Sequence, residues 1–153
     1  MKTEVKRPIL VIAGATLSVL GALWALIDPA GLVLAAAGVL LLLWHHLRPP
    51  VAATVAGTLA GAAAGLSASL WVRSEQVCCM FGYTEHRGWP YAWSERGGVA
   101  DTEAEARALA QAGGWTTNGY HLAADLAFWA AAGFLIAVLA GAAWRRWRER
   151  AAR

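Results

Sequence analysis

Charge is scarce in this chain: 15% of its 153 residues are Asp, Glu, Lys or Arg, against roughly 25% in a soluble domain. It is scarcer still inside the long apolar blocks. Residues 9–27 and 51–72 carry no charge, and residues 122–144 carry one acid, Asp125, near the start. Intramembrane ionisable groups serve ions, protons and voltage sensing, so their lack argues against a transporter, pump or channel. Histidines that could hold a haem between helices are missing at matching depth, because His45 and His46 fall at one predicted membrane face and His121 at the other. Cysteine is down to two, and they are adjacent, Cys78 and Cys79. A disulfide relay needs C-x-x-C and a second pair, and neither is present. The chain also has no phosphate-cradling glycine loop, hydrolase elbow or paired-carboxylate site, so the reading is non-enzymatic, with no catalytic residues and no cofactor.

What is there is apolar residue in membrane-length blocks. About 20 such residues cross a bilayer core as a helix. Blocks 9–27, 51–72 and 121–144 meet that length, and 31–47 does if His45 and His46 close it. The first block is too long for a typical signal-peptide core, and no small-x-small cleavage site follows it. The expected fold is therefore all-α, an integral membrane four-helix bundle forming a single domain over residues 1–153. One large extracytoplasmic loop, 73–120, should contain a short surface helix at about 102–112. Thr102 and Glu105 fit a capping box there, and Gly113 with Gly114 fits a helix stop.

Orientation follows from the basic residues. Lys2, Lys6, Arg7, Arg48, Arg145, Arg146, Arg148, Arg150 and Arg153, nine of the 13 Lys and Arg, share one side if the chain crosses four times. The positive-inside rule then places both termini of a multi-pass cell-membrane protein in the cytoplasm. Trp24, Trp44, Trp71, Trp144 and Trp147 fall near predicted helix ends, as an aromatic belt requires. The net charge of +3 thus reads as topology, with the lipid bilayer as partner and no nucleic acid.

Two features carry the expected interactions. Ala53, Gly57, Gly61, Gly65 and Ser69 recur every four residues in the third block. Such small-xxx-small stripes let backbones approach where lipid supplies no hydrophobic driving force. The stripe serves packing within the monomer or faces a second protein. In the loop, "CCMFGYTEHRGWPYAW" opens the polar stretch. Trp89, Tyr91 and Trp93, bracketed by Arg87 and Arg96, make a candidate partner patch, since Trp, Tyr and Arg anchor interfaces. Cys78 and Cys79 have consecutive α-carbons about 3.8 Å apart, below the usual disulfide range of roughly 4.4–6.8 Å. A strained vicinal bridge, a bridge to another chain and buried thiols remain the alternatives. A further alternative is a zinc or copper site from Cys78, Cys79, His86 and His121, with Met80 for copper(I), serving redox or metal handling.

With four expected helices, a very short first outer loop at "IDPAG" and a large second one opening on Cys78–Cys79, the chain resembles a reduced tetraspanin. Met80 stands where the tetraspanin Cys-Cys-Gly motif has its glycine, and further loop cysteines are lacking. The resemblance implies lateral organisation of other membrane proteins, or self-association, by an accessory subunit. The Gly88–Trp93 element, G-W-P-x-x-W, is also similar to one in small uncharacterised prokaryotic membrane proteins, a likeness that implies no activity.

Overall fold

The computed structural model describes residues 6–78 and 81–152. It divides into two compact units, residues 1–63 with 127–153 and residues 64–126. The helices are α1 (Lys6–Ala25), α2 (Gly31–Leu42), α3 (Trp44–Leu47), α4 (Val51–Ser69), α5 (Glu103–Ala112) and α6 (Gly119–Ala151). The strands are β1 (Arg73–Cys78), β2 (Gly82–Arg87), β3 (Ser94–Val99) and β4 (Thr116–Thr117).

The expectation of an all-α four-helix membrane bundle is corrected on two counts. First, the stretch expected to be a loop with one surface helix folds as a four-stranded antiparallel sheet, in the order β1-β2-β3-β4, with α5 on one face. The fold is mixed α and β. Second, three helices rather than four are long and apolar enough to cross a membrane: Pro8–Ala25, Val51–Ser69 and Gly119–Ala151. They mark a membrane protein. The expected second span is interrupted at Leu43, which leaves α2 with 12 residues. At 1.5 Å per residue that is about 18 Å, against a hydrocarbon core of about 30 Å.

The first unit is built on backbone contact. α1 and α2 form a hairpin whose turn is fixed by Asp28, where Oδ1 accepts the Ala30 N–H at 2.8 Å. The two helices meet through Gly14, Gly21 and Gly38, where an added Cβ would strike the partner's backbone. α4 and α6 meet in the same way. A Cβ on Gly61 would lie 2.5 Å from Gly133 Cα, and one on Gly57 would lie 2.5 Å from Ala137 Cβ. Ala53 is exposed, and its neighbour Thr54 takes the buried place on that face. Large apolar side chains point outward, among them Ile12, Val19, Leu59, Ile136 and Leu139, the pattern of a lipid-facing surface.

One end of this unit gathers three parts of the chain. Ile9, Leu10, Trp44 and Val51 line one small cavity. Trp44 stacks on Phe134 with ring centroids 6.2 Å apart. The Arg145 guanidinium donates to the carbonyls of Leu47 and, at 3.0 Å, Arg48. The start of α1, the turn before α4 and the later part of α6 therefore lie together.

In the second unit, antiparallel register sorts side chains onto two faces. Tyr83 pairs with Gly98, Glu85 with Arg96, and Arg87 with Ser94, all on one face. α5 covers the Tyr83 end with Ala106 and Ala110, both fully buried. Gly98 permits this, because a Cβ there would meet the backbone of Ala106 and Ala110. Thr102 caps α5, its hydroxyl accepting the Glu105 N–H at 3.3 Å. The opposite face carries Ser74, Gln76, Cys78, Thr84, His86 and Glu95.

The α4–α6 contact predicts that Gly61→Leu destabilises the helix pair by about 1–3 kcal/mol, the usual cost of overpacking. Leu59, 66% exposed, should tolerate Ala. Thermal melting in detergent checks both. Equal melting temperatures for Gly61→Leu and the parent would overturn the contact.

Candidate functional site

The second unit holds two polar constructions on either side of Gly88. The first fixes the segment from Gly88 to Trp93. Gly88 takes φ 125°, a region that side chains other than glycine's rarely occupy, and the Trp89–Pro90 peptide is cis. The backbone is then tied to three elements. Gly88 N–H donates to Val72 O at 3.4 Å, and Trp93 N–H to Arg87 O at 3.1 Å. Tyr91 N–H donates to Oδ1 of Asp125 at 2.8 Å, and Asp125 is fully buried on the first turns of α6. His121, one turn earlier, bonds Ala92 O through Nδ1 at 2.6 Å. A carbonyl can only accept, so Nδ1 carries the proton. Asn118 starts α6, its Oδ1 accepting from Tyr120 and His121 N–H, while its own N–H donates to Trp93 O at 2.8 Å. The Trp93 indole N–H donates to Ser69 Oγ at 3.3 Å. Pinned from these sides, the segment leaves Trp89 47% exposed.

The second construction surrounds Glu85. Its side chain is almost wholly buried and contacts Arg96 at 2.5 Å and Arg87 at 3.4 Å. Both guanidinium groups also lie over the Trp115 ring, at 4.1 Å for Arg87 and 4.6 Å for Arg96, within cation–π range. Burial alone would raise the Glu85 carboxyl. The hydrogen bonds and charges of Arg96 and then Arg87 outweigh it and hold the group below its ordinary value of 4.5. Farther along the same face, Arg107 lies over the Tyr83 ring at 4.9 Å and pairs with Glu75 and Glu103. Burial, then the nearby Glu75, raises the Tyr83 hydroxyl above its ordinary value of 10.0.

Of the residues expected to form a partner patch, the structure splits the rings from the arginines. Arg87 and Arg96 join Glu85 and Trp115. Trp93 is held at Ser69, the last residue of the small-residue stripe. Tyr91 lies against His121, with ring centroids 6.3 Å apart. Trp89 alone of the three rings is classed as exposed. The expected metal ligands that are described do not converge. Cys78 pairs with Gly82 and His86 with Ser74, at opposite ends of β1, about 13 Å apart at strand rise. Cys79 and Met80 lie outside the described residues. Among those described, no group of three His, Cys, Asp or Glu side chains is placed to hold a metal ion.

The sequence marks Glu85 as one of the chemistry-bearing residues of the loop without giving it a role, and it does not mark Trp115 or Asn118. The Glu85 signal was present as period-two spacing, Tyr83, Glu85 and Arg87, but its polar residues hid the strand. No family model matches the chain, and no curated protein or solved structure gives a match.

The ion pair sets an acid limit on this unit. A carboxyl whose folded value is depressed contributes stability that is complete above its unfolded value and lost as pH falls through the folded one. Stability of the second unit should therefore drop as pH falls below about 4.5, the ordinary value. Glu85→Gln should remove that contribution to the acid dependence and cost on the order of 3 kcal/mol at neutral pH. Hydrogen exchange of β2 and β3 amides across pH 3–7 measures both. An unchanged acid profile in the variant would contradict the pairing.

Proposed function

We propose that this protein is a non-enzymatic, multi-pass membrane subunit that docks a neighbouring membrane protein through its extracytoplasmic unit. The carrying observation is the segment Gly88–Trp93. Hydrogen bonds to Val72, Asn118, His121 and Asp125 fix its backbone, while Trp89 stays half exposed. A rigid, exposed aromatic loses little entropy on binding, and tryptophan is among the commonest interface anchors. Most ionisable groups around it already serve the fold: Glu85 holds two arginines, Arg107 holds Glu75 and Glu103, and Asp125 holds the Tyr91 amide. This favours binding over chemistry. It agrees with the accessory, laterally organising role that the likeness to tetraspanins implies.

The orientation proposed is both termini in the cytoplasm. Nine of 13 basic residues support it, as does the meeting of the start of α1, the turn before α4 and Arg145 at one end of the first unit. Although α2 is too short to cross the core as one helix, Trp44 and Val51 lie beside Ile9 and Leu10, which supports a return of the α1–α2 hairpin to the side from which it started.

Two measurements test this. In a background lacking Cys78 and Cys79, Glu95→Cys, at an exposed position, should react with an impermeant maleimide on intact cells, and Ala152→Cys should not. Labelling of Ala152→Cys would reverse the orientation. For docking, Trp89→Ala should lower in-membrane cross-linking to the partner tenfold or more, the effect of losing an interface anchor. It should leave amide exchange of β2 and β3 intact. Unchanged cross-linking would remove Trp89 from the interface.

A further inference from the structure

The row of the sheet next in sequence to the end of α4 and the start of α6 carries an excess of positive charge. Arg73 follows the end of α4 by four residues and pairs across the strands with Arg87. Arg87 pairs in turn with Ser94, and Ser94 with Thr117, two residues before α6. Directly opposed residues share a face, so Arg73 and Arg87 share a face in this row, and Arg96, opposite Glu85, lies on the same face in the next row. The one carboxylate set between Arg87 and Arg96 is Glu85, and Glu75 pairs with Arg107. Two guanidinium groups thus share one carboxylate, and Arg73 on the same face adds a third positive charge. Arg87 Nε is buried with no hydrogen-bond acceptor among the described residues, a condition that costs free energy. Arg73 is exposed. Trp71 and Tyr120, at the adjoining helix ends, are 85% and 90% exposed, as interfacial aromatics are.

We propose that Arg73, Arg87 and Arg96 form a site for the phosphate of an anionic phospholipid headgroup at the extracytoplasmic membrane surface. Guanidinium groups bind phosphate oxygens through paired, charge-assisted hydrogen bonds. A phosphate here would neutralise the excess charge. Trp115 holds the Arg87 and Arg96 guanidinium groups by ring contact, so the site is organised before the lipid arrives. Trp71 and Tyr120 would set the depth of this row at the headgroup layer.

The test uses the whole protein labelled with 5-fluorotryptophan, with the Trp115 resonance assigned by its loss in Trp115→Phe. Fluorine spectra are recorded as phosphatidylglycerol is added to phosphatidylcholine-containing micelles. The Trp115 signal should shift saturably with phosphatidylglycerol and stay fixed with added phosphatidylcholine. Arg73→Gln should weaken the response about fivefold, the contribution of one arginine near a lipid surface. Because Arg73 makes no ion pair with Glu85, this variant keeps its fold, whereas Arg87→Gln and Arg96→Gln disturb the Glu85 pair as well. An equal shift with both lipids overturns the headgroup site. So does a full response in Arg73→Gln. A shift produced by inorganic phosphate in phosphatidylcholine micelles, with none from phosphatidylglycerol, overturns the lipid source.

Discussion

The second unit depends on a carboxylate that has left water. Desolvating Glu85 costs several kcal/mol, and only close cations offset it. Arg96 and Arg87 supply them, and that requirement fixes β3 against β2 in a single register, since a slip of one residue would move Arg96 to the opposite face. Once fixed, the two guanidinium groups provide the surface on which Trp115 rests, which docks the connection from α5 to β4. β4 then pairs with β3 and leads into α6. One carboxylate with its two arginines therefore organises the sheet, the path of the chain after α5 and the arginine row.

The first unit obeys another constraint. Lipid is as apolar as leucine, so burying leucine between helices gains little, and stability comes from close backbone packing. The helices accordingly turn Ile12, Leu59 and Ile136 outward and place Gly14, Gly38, Gly61 and Gly133 at their contacts. Arg145, bonded to the open carbonyls of Leu47 and Arg48, ties α6 to the turn before α4.

These two modes of construction bear on function. A polar network that ties backbone and side chains together makes a rigid surface. Asp125 shows this: a buried carboxylate beside a histidine suggests acid–base work, yet it accepts the Tyr91 amide while His121 Nδ1 donates to Ala92 O. Both groups hold the segment that carries Trp89. Trp89 and Arg73 are among the side chains that stay exposed.

The sequence by itself determined three of the four expected apolar spans and the small-residue stripe, because membrane length and a four-residue period are local properties that need no partner to be read. Thr102 and Glu105 marked the start of α5 for the same reason. The break at Leu43 that shortens the second expected span was not legible, and neither were the strands. Their inward residues are Tyr83, Glu85, Arg87 and Arg96, and a strand that buries charge lacks the apolar alternation by which strands are recognised. Only tertiary structure could decide that Glu85 meets Arg96, eleven residues on, that Trp115 lies against two arginines, or that Asp125 holds an amide 34 residues away. Each of those contacts is favourable only once burial has removed water from it, and burial is a property of the folded chain rather than of any stretch within it.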